Sequence, residues 1–405
     1  MLGFSARRSL AFLPKGVVIT AARRTPIGSF MGVLSKVSAV QLGSFAIKAA
    51  LTQARLLPAQ VEEVIMGNVI QAGTKQSPAR QAALGAGLPH ATICTTVNKV
   101  CASGMKTITL AAQSVALGHG NVIVAGGFES MSNAPFLIPN FRSGQLMGNA
   151  TILDSMMHDG LMCPFTNTPM GNLAEKTNEK YGITRQQQDE FAINSYKRAA
   201  EAWKRGFYRA EVEPFVIEDK KKGNTTITED EEYKKVKFDK MTTLRPAFLP
   251  TGSITAANAS KINDGACGVV VMSEEAARAA GSIPIARILS FADAETEPTH
   301  FEVAPSLAIE KALRYANLTK EQVDLFEINE AFSSAGLVNM KLLQLPHEKV
   351  NVNGGAVALG HPVGVSGARI VATLIYGLKE KGKRIGVAAI CNGGGGATAI
   401  IVEAL

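Results

Sequence analysis

AIKAALTQARLLPAQV at residues 46–61 and AIEKALRYANLTKEQV at 308–323 are two copies of one pattern, 262 positions apart. Ala46, Ile47, Ala50, Leu51, Ala54, Leu56, Gln60 and Val61 fall on Ala308, Ile309, Ala312, Leu313, Ala316, Leu318, Gln322 and Val323. The shared apolar positions recur at helical spacing and then enter a β-like run, so one α–β unit occurs twice. Ala and Leu are common enough for a single helix to match by chance. The next unit argues against chance: at a shift of 263, Ser103-Gly104 falls on Ser366-Gly367, and each pair opens a helix leading to a β run that ends in Gly-Gly.

Working outward, GVVIT (16–20), VEEVIMGNV (61–69) and NVIVAGG (121–127) read as strands, with helices over 40–55 and 103–118 between them. The second half repeats the order with VDLFEINEA (323–331), a helix over 366–380 and IGVAAIC (385–391). This alternation predicts an α/β fold of two similar halves around a mostly parallel sheet. The N-terminal half takes residues 16–129 plus 263–283, the C-terminal half takes 284–405, and a large insertion spans 130–262. The insertion carries the helix GNLAEKTNEKYG, the amphipathic stretch TRQQQDEFAINSYKRAAEAWKRG and the lysines 220, 221, 222, 234, 235, 237 and 240. Glu229, Asp230, Glu231 and Glu232 interrupt those lysines, so by composition alone they form a solvated surface.

The 405 residues, 46% hydrophobic and 19% charged, make a globular chain with room for two or three domains. Its apolar runs stop short of the roughly 18 residues that a membrane-spanning helix needs. The net charge of +8 is local: residues 1–61 hold eight Lys and Arg and no acid, leaving 34 basic against 34 acidic residues in the other 344. A nucleic-acid reader spreads its basic residues over a face or helix, which this distribution does not do. MLGFSARRSLAFLPK (1–15) instead has the composition of a mitochondrial presequence, directing the protein to the matrix. Five cysteines without a C-x-x-C pair form no disulfide framework, and six histidines without ligand spacing form no zinc site.

Chemistry-bearing residues gather at predicted strand and loop ends. Cys101, in NKVCASGMKTITLAAQ, precedes a helix whose dipole should lower the thiol pKa and favour thiolate. His361 lies in a Gly-rich turn, NGGAVALGHPVGVSGAR, with no regular face to pack from. Cys391 ends a strand ahead of Gly393–Gly396, whose backbone can approach a ligand closely. Asn329 and Glu330 follow a strand in EINEAF, where open α/β sheets place their ligands. Two thiols, an imidazole and an amide from two equivalent halves can converge on one covalent site.

NKVCASG, GGFESMSNAP, NEAF, NGGAVALGHPVGVSGAR and CNGGGG, in this order from Gly16 to Leu405, resemble the motifs of the thiolases. The resemblance implies the thiolase fold, an α-β-α-β-α layered core with a loop domain for coenzyme A. TAANAS (255–260), FADAE (291–295) and CNGGGG look most like the mitochondrial acetoacetyl-CoA thiolases. Their reaction is the reversible condensation of two acetyl-CoA to acetoacetyl-CoA and CoA. By that resemblance Cys101 is the acylated nucleophile, His361 takes its proton, and Cys391 exchanges the α-proton of the second substrate. Asn329 holds a water that acts with His361 on the enolate oxygen, and the amides of Cys101 and Gly393 form a second oxyanion hole.

Tyr196, Lys235, Val236, Lys237, Lys240 and Ser260 match positions that touch coenzyme A in that family. Tyr196 and the carbonyls of Ala256, Ala257, Ala259 and Val357 match a potassium site. Coenzyme A is a substrate, and the chemistry itself needs no metal. The family also implies homotetramers built from dimers. Pro169 stands where acetoacetyl-CoA thiolases carry His, a feature of longer-chain 3-ketoacyl-CoA thiolases, the alternative activity. Phe301 matches the aromatic residue tied to 2-methylacetoacetyl-CoA, although Glu302 replaces the usual Pro. A ketoacyl synthase shares the two-half fold, but the second Cys argues against it.

Overall fold

The structure, a computed structural model, describes Leu13, residues 16–218, Lys221 and residues 223–405. Apart from Leu13, the expected presequence at 1–15 lies outside the described residues, as do Lys220 and Lys222.

Strand β1 (Val17–Arg24) is followed by helix α1 (Ala39–Ala54). Ser38 caps α1, its hydroxyl accepting from the Gln41 amide while the Gln41 side chain returns to the Ser38 amide. Then come β2 (Glu63–Gly67), α2 (Pro78–Gly85), β3 (Ile93–Val97), α3 (Ser103–Leu117) and β4 (Val122–Ser130). Gly118, with a left-handed φ of 76°, closes α3. The chain leaves at Ser130 for the insertion, whose main helices are α4 (Met170–Tyr181) and α5 (Arg185–Lys204). It re-enters as β5 (Asn263–Ser273), with Asp264 paired opposite Ser130. The second half runs β6 (Ala286–Glu295), α6 (Ala304–Ala316), β7 (Leu325–Ile328), α7 (Ser333–Leu343), α8 (Ser366–Glu380), β8 (Ile385–Asn392) and β9 (Gly396–Ala404).

Strand order is β3-β2-β4-β5-β1-β6-β9-β8-β7. Reading inward, β2-β4-β5-β1 mirrors β7-β8-β9-β6, which is the duplication read from the 262-residue shift. The expectation of a mostly parallel sheet is corrected. Only β2/β3, β2/β4 and β7/β8 are parallel among these pairs, while β5 and β9 run antiparallel to both neighbours. The reason is connection length: a Gly-rich turn joins β8 to β9 directly, and a parallel pairing would require a crossover. The short antiparallel contact Val18↔Arg287 joins the halves into one sheet path.

Alternation along the strands builds five layers. Val269 and Val271 of β5 face a central layer with Met105 and Ile108 of α3, whereas Val270 and Met272 face α1 and α2. In β8, Ala388 and Ile390 face the same central layer with Ile370 and Leu374 of α8, and Val387 and Ala389 face α6. Helices α3 and α8 are thereby sandwiched between the halves, and their N-termini carry the site.

Candidate active site

Helices α3 and α8 approach backbone to backbone. A Cβ on Gly104 would lie 2.9 Å from the Ala368 nitrogen and the Gly364 oxygen, and one on Gly367 would lie 2.5 Å from the Met105 nitrogen. This contact brings the Cys101 turn and the His361 loop together. Val100, just before Cys101, holds φ +46°, a left-handed conformation that costs a β-branched residue energy. The surrounding turn fixes it: Val100 N donates to Asn98 Oδ1 at 2.9 Å and Ser103 Oγ donates to the Val100 carbonyl at 2.6 Å.

The Cys101 thiol is partly accessible and accepts from the amides of Gly393 and of Cys101 itself. Burial nonetheless pushes it up to about 11, with the Glu129 carboxylate adding to the rise. The expected lowering by the helix dipole is therefore corrected: Cys101 precedes α3 by two residues, and desolvation outweighs the amides. Cys391, buried near the end of β8, is raised well above its ordinary value by desolvation and by the neighbouring charges of Cys101 and Glu302.

His361 supplies the acceptor that these neutral thiols require. Its Nδ1 lies 2.6 Å from Ser366 Oγ, whose hydroxyl is within 3.1 Å of the Pro362 carbonyl. If Ser366 donates to that carbonyl, it accepts from Nδ1–H and leaves the Nε2 lone pair pointing away; Nε2 is buried without a hydrogen-bond partner among the described residues. Burial and the Arg369 charge push the imidazole down to about 3, so it is neutral at neutral pH. Asn329 follows β7, and both polar atoms of its buried side chain likewise find no partner among the described residues.

A cavity of about 200 Å3 opens onto His361, with Met131, Met157, Pro169, Ser260 and Phe332 among its walls. Phe301 is buried in the apolar cluster that contains Cys391, Phe332 and Cys163. A second cavity of about 230 Å3 is lined by Tyr196, Lys235, Val236, Lys237, Lys240 and Lys261. Lys261 borders both. Three of the five residues expected at the potassium site, Tyr196, Ala259 and Val357, meet around a side chain: Lys261 Nζ donates to the Ala259 carbonyl at 2.6 Å, lies 3.4 Å from that of Val357 and sits over the Tyr196 ring.

The profile of the thiolase N-terminal domain matches residues 17–275, and that of the thiolase C-terminal domain matches 282–404. The chain belongs to the thiolase family. It is 50% identical over 401 residues to the mitochondrial acetyl-CoA acetyltransferase of Rattus norvegicus, covering 98% of this chain and 94% of that one. A cytosolic acetyl-CoA acetyltransferase of Gibberella zeae is 50% identical over 396 residues, covering 98% and 100%. Among solved structures, a thiolase from Ascaris suum in complex with coenzyme A superposes with a TM-score of 0.91 at 47% identity, covering 96% and 100%.

One carboxyl of this thiolase, Glu129, escaped the reading of its residues, and Glu302 was read only as replacing a Pro. Glu129 accepts from Asn68 Nδ2 and from the amides of Val69, Ile70 and Gly364, pinning the loop after β2 to the His361 loop. It was visible inside GGFES, and only the fold shows what it holds. Burial raises Glu129 to about 7 and Glu302 also to about 7.

Proposed function

We propose that this thiolase is an acetyl-CoA C-acetyltransferase, condensing two acetyl-CoA to acetoacetyl-CoA and CoA and cleaving acetoacetyl-CoA in reverse. The observation that carries the reading is that Cys101 lies near enough to act electrostatically on Cys391, and that the apolar clusters holding these two thiols share residues with the cavity lined by His361, whose Nε2 has no hydrogen-bond partner among the described residues. As Cys101 Sγ attacks the first thioester, its proton passes to His361 Nε2. The tetrahedral oxyanion lies toward the Cys101 and Gly393 amides. CoA leaves as thiol with the Cys391 proton, so an acetyl group rests on Cys101 and Cys391 is a thiolate. That thiolate removes an α-proton from the second acetyl-CoA while His361 and a water held by Asn329 stabilise the enolate oxygen. The carbanion attacks the acetyl carbonyl, Cys101 leaves, and the imidazolium returns its proton.

Coenzyme A lies along both cavities, its pantetheine passing Ser260 and its phosphates near Lys235, Lys237 and Lys240, beside Val236 and Tyr196. A longer-chain 3-ketoacyl-CoA is the second reading, because Pro169 lines the cavity with His361. Phe301 supports acceptance of the 2-methyl branch by its place beside Cys391. Thiolysis of acetoacetyl-CoA, 2-methylacetoacetyl-CoA and a long-chain 3-ketoacyl-CoA separates the readings. The first two should turn over well and the third poorly, and a preference for the third would replace this reading.

Two variants divide the steps. Cys101→Ser should fold and lose acyl transfer, while Cys391→Ala should still take an acetyl group on Cys101 but lose exchange of α-protons. Mass spectrometry and deuterium exchange read these outcomes, and an acetyl group found on Cys391 would reverse the assignment.

A mitochondrial matrix location is supported by the acid-free, basic first 61 residues and by the mitochondrial rat relative. Assembly into a homotetramer is supported by exposed apolar residues over 136–152, with Leu146 99% and Met147 91% exposed. Light scattering tests the stoichiometry.

A further inference from the structure

We infer that the Lys261 ammonium is a built-in cation that stands where a bound monovalent ion would sit, making this protein independent of potassium. The ammonium lies on the carbonyls of Ala259 and Val357 and 5.7 Å from the centre of the Tyr196 ring. These groups include three of the five expected to hold potassium, and an ion added there would face an ammonium at contact distance. Hard carbonyl oxygens and an aromatic face suit either cation, but the lysine is covalently present at unit occupancy.

The electrostatic surroundings agree. The carboxylates of Glu232 and Glu330 lie close enough to attract the ammonium. The Val357 peptide links the charges: its N–H donates to Glu330 Oε2 at 3.0 Å and its carbonyl faces Lys261.

The position gives this cation a task. Ala259 and Tyr196 belong to the insertion, whereas Val357 sits in the helical turn Ala356–Leu359, four residues before His361, which is reached through Gly360. Lys261 therefore ties the walls of both cavities to the segment that delivers the imidazole. It acts as a positioning residue.

The test begins with the full-length wild type at pH 7 and constant ionic strength in potassium, sodium or choline chloride. Thermal midpoint and thiolysis should be the same in all three, and the midpoint needs no assumption about substrate. A potassium-specific rise in midpoint, or several-fold activation by potassium, would overturn the inference. Lys261→Ala should raise KM for CoA by about tenfold or more in choline chloride, the size of losing a charge-assisted hydrogen bond. Potassium or methylammonium should restore much of that loss, and Lys261→Met, which fills the same space, should resist rescue. Unchanged KM in Lys261→Ala would show that the ammonium holds nothing.

Discussion

At the scale of the residue, Glu302 is the side chain whose placement is hardest to reconcile with ordinary burial. Ser334 Oγ donates to its Oε1 at 2.7 Å, while Oε2 is buried with no partner among the described residues. Burial lifts its pKa to about 7 from 4.5, against hydrogen bonds from Ser334 and Thr177 that pull the other way. A carboxyl with a raised folded-state pKa favours folding below its unfolded value, and that contribution is lost as pH rises through about 7. Glu302→Gln keeps the shape without the charge. The variant should therefore gain on wild type as pH rises from 5 to 8, by on the order of 1–3 kcal/mol. Urea unfolding at both pH values measures it; a constant difference would mean that Glu302 does not titrate in this window.

Asp293 has the opposite sign. Burial would raise it, but Lys106, Lys99 and Thr398 bring it down to about 2 from 3.8. Its contribution to stability is present above about pH 4 and should fade between there and pH 2, so Asp293→Asn should flatten the acid limb of unfolding.

At the scale of the element, the crossing of α3 and α8 governs how closely the halves meet. Helix propensity alone favours Ala over Gly by about 1 kcal/mol. At Gly367, however, a Cβ would fall 2.5 Å from the backbone nitrogen of Met105, which cannot rotate away. Gly367→Ala should destabilise the protein by about 1–3 kcal/mol. It should also lower kcat well below the melting range, because Ser366, which sets the His361 ring, is the adjacent residue in α8. Unfolding midpoints and kcat together check this, and a stabilised, fully active variant would mean that the contact relaxes freely.

At the scale of the whole molecule, strand β1 begins at Val17 and is paired on both sides, so the folded core does not need the first fourteen residues for its sheet. Removing residues 1–14 should leave purified activity intact and move a fluorescent fusion from mitochondria to cytosol. Continued import of the truncated fusion would refute the presequence reading.

The sequence by itself determined the elements it named, the duplication and the short motifs that hold two thiols, an imidazole and an amide, because these are local: apolar spacing, Gly turns and short motifs each read within a few tens of residues. Strand direction was not local. β5 reaches its neighbours only after the insertion, and whether it runs with or against them depends on how that excursion closes. The Cys101 thiol shows the same limit, since a helix N-terminus is visible in NKVCASG but the desolvation that dominates its pKa comes from the packed surroundings. Lys261 shows it most plainly: its partners are two residues and 96 residues away, so only the tertiary structure could put an ammonium on carbonyls that the family resemblance had matched to a potassium site.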